Sequence, residues 1–134
     1  GGKVLLVEQF RPAVARNVLE IPAGMRENKE DPLLCAQREF QEETGFQARR
    51  WYSLGSMLVS PGYTSEELYL FLAEDLVPGD QDLDDTEDIA LHWRDLETAR
   101  RQVSDGTLTD SKTIVALQRY WLEMWIPVES VVSS

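Results

Sequence analysis

Apolar residues fall into short blocks of two periodicities. From Lys3 to Phe10 the run Val4, Leu5, Leu6, Val7 follows Gly1-Gly2, which predicts a turn feeding a largely buried strand. Arg11-Pro12 ends that strand, and Val18 to Ile21 reads as a second extended piece closed by the turn Pro22-Ala23-Gly24. The period then changes. Asp31 is a capping residue, Pro32 suits a first helical position, and Gly45 after Thr44 is a stop, so the spacing predicts a helix over 32–44. At about 100° per residue, Leu33, Ala36, Phe40 and Thr44 share one face, while Glu39, Glu42 and Glu43 share another. Phe46 to Leu58 predicts one or two strands, Ser60-Pro61-Gly62 a turn, and Glu66 to Glu74 a buried strand. Beyond an acidic loop over 78–88, Ile89 to Trp93 reads as a short strand and Leu96 to Val103 as a helix ended by Asp105-Gly106. Ser111 to Trp125 reads as a last helix whose stripe of Ile114, Leu117, Trp121 and Trp125 serves packing. Strands interleaved with two or three helices predict an α+β domain layered α/β/α.

With 134 residues, no internal repeat and no linker, the expectation is one domain over 1–134. A 43% hydrophobic content suffices for a core without disulfide or metal staples. Apolar runs such as Leu68 to Ala73 fall far short of the roughly 20 residues of a membrane span, and no signal segment opens the chain. The expected setting is cytoplasmic, with no membrane partner. One cysteine, Cys35, and one histidine, His92, supply neither an internal disulfide nor a structural zinc cluster. Both read as structural residues. Twenty-four Asp and Glu against 13 Lys and Arg leave a net charge of −11, which disfavours nucleic acid as a partner. Carboxylates are, however, the preferred ligands of hard divalent cations.

Three glutamates on one face of the 32–44 helix repel one another, and a like pair at i,i+4 such as Glu39 and Glu43 costs a few tenths of a kcal/mol. Either that face is merely solvated, or a divalent cation turns the repulsion into coordination, with Arg38 holding Glu42 or a neighbouring carboxylate in place. The flanking spacing decides between these. Gly24, five residues, Glu30, seven residues, then Arg38-Glu39-Phe40-Gln41-Glu42-Glu43-Thr44-Gly45-Phe46 resembles the Nudix box GX5EX7REUXEEXGU at all nine defined positions. The resemblance implies the Nudix fold, a mixed sheet between helices, and hydrolysis of a nucleoside diphosphate linked to another moiety with Mg2+ or Mn2+. It further implies Glu39 and Glu43 as principal metal ligands, Glu42 as a further ligand, Arg38 as their orienting partner, and the carbonyl of Ala23 as another ligand. Glu30, Gly24 and Gly45 would be architectural.

Residues outside the box resemble the ADP-ribose pyrophosphatase branch of that family: Val7-Glu8-Gln9-Phe10-Arg11-Pro12-Ala13, Leu19-Glu20-Ile21-Pro22-Ala23-Gly24, and Pro61, sixteen residues after Gly45. Glu87-Asp88-Ile89 and the stretch from Asp105-Gly106 to Gln118 are similar too, so the resemblance covers nearly the whole chain. It implies ADP-ribose as substrate, with AMP and ribose 5-phosphate as products. Arg11 would approach the phosphates or terminal ribose, and Glu20, Met25 and Pro61 would lie near the pocket. Glu87 would be an additional metal ligand and Asp85 the residue that activates water, with Glu66 and Glu67 as other candidates because a base must come within about 3 Å of its proton. The alternatives are a hydrolase of another nucleotide sugar, GDP-mannose or UDP-glucose, and a non-catalytic ADP-ribose binding module. The branch usually carries an N-terminal extension that builds a homodimer, and a core strand ahead of Lys3; neither is in this sequence.

Overall fold

In the computed structural model, residues 2–24, 29–79 and 89–128 are described. Strand β1 (Lys3–Arg11) turns through a short 3-10 segment (Pro12–Val14) into β2 (Arg16–Glu20), pairing from Val7 opposite Glu20 to Arg11 opposite Arg16. On its other edge β1 pairs with β5 (Ala90–Asp95), from Lys3 opposite Asp95 to Glu8 opposite Ala90. A strand with a neighbour on each side is covered by more of the fold, and Leu5, Leu6 and Val7 are all buried. That is why this segment reads as a continuous apolar run rather than an alternating one.

The second sheet is built on β3 (Phe46–Leu58), one continuous strand that pairs with β4 (Glu67–Pro78) and, briefly, with β6 (Ile126–Pro127). Its register with β4 shifts between Ser53 and Ser56, where Gly55 takes a φ of 83°. A left-handed residue in a bulge is what a glycine tolerates without a Cβ clash. Among the described residues β4 pairs with β3 alone. Every strand pairing described is antiparallel.

Among the described residues three α-helices complete the α+β fold: α1 (Pro32–Thr44), α2 (Leu96–Asp105) and α3 (Ser111–Trp121). Helix α3 joins the two sheets. Leu117 belongs to a cluster with Leu6, Ala99 and Leu108, and Ala116 to a second one with Leu54 and Leu70. Ile21, just past β2, packs against both clusters. The segment that leads into Gly24 therefore starts from the best-anchored point of the interior.

The helix over 32–44 has the predicted limits. The last helix is shorter than its apolar stripe predicts. It ends at Trp121, and Glu123 adopts a φ of 57°, which reverses the chain. Trp125 thus leaves the helix and stacks on Tyr120 at 5.2 Å, still covering the second cluster. An apolar residue at helical spacing serves the core equally well from a returning segment, so periodicity overran the helix by four residues. Strand β4 likewise extends beyond Glu74 to Pro78. Leu6 is fully buried at the centre of the first cluster. Leu6→Ala is expected to cost about 3 kcal/mol, by transfer and cavity terms together, read as a fall in the denaturant midpoint at unchanged m-value.

Candidate active site

Helix α1 is fixed at both ends by its own sequence. The Asp31 carboxylate accepts from the backbone N–H groups of Leu33 (3.0 Å) and Leu34 (3.3 Å), and Pro32 occupies the first turn. Gly45 closes the helix at φ 77°, donating its N–H to the Gln41 carbonyl at 2.8 Å. Phe40 meets Trp51 of β3 edge-on, with ring centroids 6.0 Å apart. That contact sets the rotation of the helix, and the carboxylate face turns to the Ala23–Gly24 segment.

One guanidinium organises the acidic face. Arg38 donates Nε and Nη2 to the two oxygens of Glu30 at 3.0 and 2.9 Å, and Nη1 to Glu39 at 2.8 Å and Glu42 at 3.1 Å. Arg38 thus contacts Glu42 and two further carboxylates, with Glu30 as its bidentate partner. Glu43 is buried and accepts from the Ala23 N–H at 2.9 Å. Burial pushes its carboxyl up to about 7; the Ala23 bond opposes that rise and the charge of Glu39 adds to it. A Cβ on Gly24 would fall inside the carboxyl group of Glu39, so any larger residue there would push Glu39 out of its present rotamer.

The donor set is carboxylate and backbone oxygen, which suits a hard divalent cation, and Gly24 provides the space in which the Glu39 carboxyl sits. Among the described residues no three acidic, histidine or cysteine side chains converge on one point. Arg38 Nη1 instead draws Glu39 and Glu42 to itself. A cation at this face would compete with that nitrogen for the same oxygens, and Arg38 would keep its grip through Glu30.

A second charged cluster lies behind the first. Glu20 has 2% of its side chain exposed and accepts from Arg11 Nε and Nη2 and from Lys112 Nζ, all at 2.7 Å. Burial alone would raise its carboxyl, but the Arg11 and Lys112 hydrogen bonds outweigh it and hold it below its ordinary value. Lys112 also reaches Asp110 at 3.0 Å, and Asp110 accepts from the N–H and hydroxyl of Thr113. Lys112, Asp110 and Thr113 were missed by the sequence reasoning. Asp110 is recognisable as the cap of α3, but the meeting of Lys112 with Glu20 depends on tertiary contact across some 90 residues of chain.

Between the two sheets lies a cavity of about 990 Å³, walled by Ile21 to Gly24, by Glu39 and Phe40, by Lys112 and by the whole of residues 65–76. This is at the upper end of the range for small-molecule sites. Ala23, Gly24 and Glu39 face it, whereas Arg11 and Glu20 stand outside its wall. Pro61 is exposed in the β3–β4 turn, where the N–H groups of Tyr63 and Thr64 both bond the Ser60 carbonyl. Glu66 and Glu67 border the cavity, and Glu67 also accepts from Ser56 at 2.6 Å. Cys35 is buried, and burial raises its thiol. His92 Nε2 lies 2.8 Å from Glu8 across the β1–β5 pair. Met25, Asp85 and Glu87 lie outside the described residues, so their assigned roles have no geometry here.

The model of the NUDIX domain matches residues 1–127, and the chain belongs to that family. It is 37% identical over 119 residues to the ADP-ribose pyrophosphatase of Bacillus subtilis (strain 168), covering 87% of this chain and 64% of that protein. It is 35% identical to the methanol dehydrogenase activator of Bacillus methanolicus, covering 90% and 66%, and 37% identical to the GDP-mannose pyrophosphatase of Yersinia pestis (strain Pestoides F), covering 87% and 63%. The crystal structure of an ADP compounds hydrolase superposes with a TM-score of 0.78 at 23% identity, covering 90% of this chain and 66% of that one. The chain thus spans just under two thirds of the length of these curated relatives. Among the described residues no helix is long and apolar enough to cross a membrane.

A carboxyl raised from 4.5 to about 7 on folding leaves the metal-free fold fully stable with respect to that group below about pH 4.5 and less stable as pH rises through 7. The span corresponds to roughly 3 kcal/mol. In EDTA, Glu43→Gln is therefore expected to raise the thermal midpoint at pH 8 and to leave it nearly unchanged at pH 5. Equal midpoints at both pH values would show that Glu43 titrates normally.

Proposed function

We propose that this chain hydrolyses the pyrophosphate bond of ADP-ribose to AMP and ribose 5-phosphate with the help of a divalent cation, Mg2+ with Mn2+ as the alternative. The observation that carries the reading is the assembled box: Arg38 binds Glu30, Glu39 and Glu42 together, Gly24 makes room for Glu39, and Glu43 is buried against the Ala23 N–H. Glu39, Glu42, Glu43, the Ala23 carbonyl and Glu87 are the proposed ligands. When bound, the cation would offset the charge that builds up as water attacks one phosphorus in line and the other half of the substrate leaves as a phosphate monoester, so that AMP and ribose 5-phosphate are the two products.

The chain's own groups do the rest. Arg38 stops the box carboxylates from repelling one another out of position. Arg11, tied to Glu20 through Nε and Nη2, has Nη1 left to meet a phosphate or the terminal ribose. Met25 and Pro61 are proposed to border the substrate. Asp85 is the proposed base, with Glu66 and Glu67 as the other candidates at the cavity edge. We also read residues 1–134 as a single Nudix domain acting on a small-molecule substrate in the cytoplasm as a homodimer.

The choice of ADP-ribose is supported by the flanking residues and by the Bacillus subtilis relative. The second reading, another nucleotide sugar, is favoured by the equal identity to the GDP-mannose pyrophosphatase. Products are to be measured after incubation with Mg2+ and ADP-ribose, GDP-mannose, UDP-glucose or diadenosine polyphosphates. Mg2+-dependent AMP from ADP-ribose is expected, and Glu43→Gln is expected to lower kcat by about a hundredfold or more. Preferential turnover of GDP-mannose would move the reading to that sugar. Binding of ADP-ribose without turnover would make this a binding module.

A further inference from the structure

Between β2 and Gly24 the chain runs Ile21-Pro22-Ala23, and Pro22 has no N–H. Two backbone donors remain. Each is taken by a side chain from a different helix: Ile21 N–H donates to Thr113 Oγ1 of α3 at 2.8 Å, and Ala23 N–H donates to Glu43 of α1 at 2.9 Å. The segment is thus suspended between two helices. Thr113 is fully buried, and its hydroxyl donates to Asp110 Oδ2 at 2.6 Å. A hydroxyl that gives its proton to a carboxylate turns a lone pair to its other neighbour, here the Ile21 N–H. Asp110 is held in turn by the Thr113 N–H at 3.1 Å and by Lys112 Nζ at 3.0 Å, and Lys112 continues to the buried Glu20.

Resting on the reading of the box as a cation site, we propose that Thr113 is a positioning residue for it. Through Ile21 it sets the height and rotation of the Pro22–Ala23 peptide, and so the aim of the Ala23 carbonyl and the room Gly24 leaves for Glu39. It acts through the backbone and touches neither cation nor substrate. Packing fixes where the Ile21 side chain lies; the Thr113 bond fixes how the peptide that follows is turned. Side chains that orient ligands from behind commonly change metal affinity by 10–100-fold when replaced.

The test compares the full chain with Thr113→Val, which keeps the branched shape and loses the hydroxyl, and with Thr113→Ser, which keeps the hydroxyl. Mn2+ affinity is measured by titration calorimetry without substrate, alongside the thermal midpoint and the Mg2+ dependence of kcat for ADP-ribose. Thr113→Val is expected to weaken Mn2+ binding about tenfold and raise the half-saturating Mg2+ concentration in parallel, with KM for ADP-ribose little changed. Thr113→Ser is expected to restore most of the affinity. Parent-like Mn2+ affinity in Thr113→Val, whatever its midpoint, overturns the proposal, because a merely structural role moves only the midpoint. If Thr113→Val shows no cooperative transition, Asp110→Asn takes its place; it leaves Thr113 intact but weakens the bond that aims its hydroxyl. A several-fold loss of Mn2+ affinity is then expected, and an unchanged affinity overturns the proposal. A parent chain that binds no Mn2+ overturns the cation reading itself and the proposal with it, an outcome told apart from the others by the parent alone.

Discussion

Three carboxylates of the thirteen-residue helix α1, Glu39, Glu42 and Glu43, and one just ahead of it, Glu30, gather around Arg38, and without that guanidinium they are a concentration of like charge. Arg38 bridges three of them, two through one nitrogen and the third by a planar two-point contact. The two-point contact with Glu30 matters most for geometry, because Glu30 lies outside the helix and ties the approach to α1 onto its carboxylate face. The fourth carboxylate, Glu43, escapes Arg38 and is accommodated by burial and the Ala23 N–H instead. One face therefore holds two kinds of carboxylate. Glu39 and Glu42 are partly solvated and charge-paired, while Glu43 is desolvated and raised, which is the kind of separation that lets chemically identical groups differ in role.

The buried pair behind the site follows a different balance. Glu20 is almost wholly removed from water, a placement that costs several kcal/mol for an unpaired ion. Its partners are unequal. Arg11 has 45% of its side chain exposed, so water screens its attraction, whereas Lys112 has 15% exposed and lies in the lower dielectric. Lys112 is the more shielded partner of Glu20, and it is also the one that connects Glu20 to Asp110 and Thr113. Arg11 grips Glu20 by two nitrogens from the solvent side.

How much of this was legible from the residues divides along the range of the interactions. Helix α1, its cap at Asp31 and its stop at Gly45 depend on neighbours a few residues away, and they read correctly. The box read correctly because its spacing is fixed by the loop and helix that carry it. The Glu20–Lys112 contact joins positions 92 apart, and no local pattern announces it. Arg11 and Glu20 were expected near a pocket; the structure pairs them with each other outside the cavity wall. Trp125 was placed on a helix because its spacing fits one, and only the left-handed Glu123 takes it elsewhere. The proposed base and the additional ligand at 85 and 87 fall outside the described residues, so the acidic loop contributes spacing and no geometry.

Among the described residues strand β4 pairs with β3 along one edge only, while residues 65–76 border the apolar cavity. Peptide groups along an unpaired edge attract other extended chains, and an apolar floor beside them makes such association more favourable. The net charge of −11 works in the opposite sense, since like-charged molecules repel before edges can meet. That protection reaches only about 8 Å at physiological ionic strength and about 3 Å in molar salt. Among the described residues, then, a strand edge favours association while the surface charge opposes it, and added salt weakens the opposition.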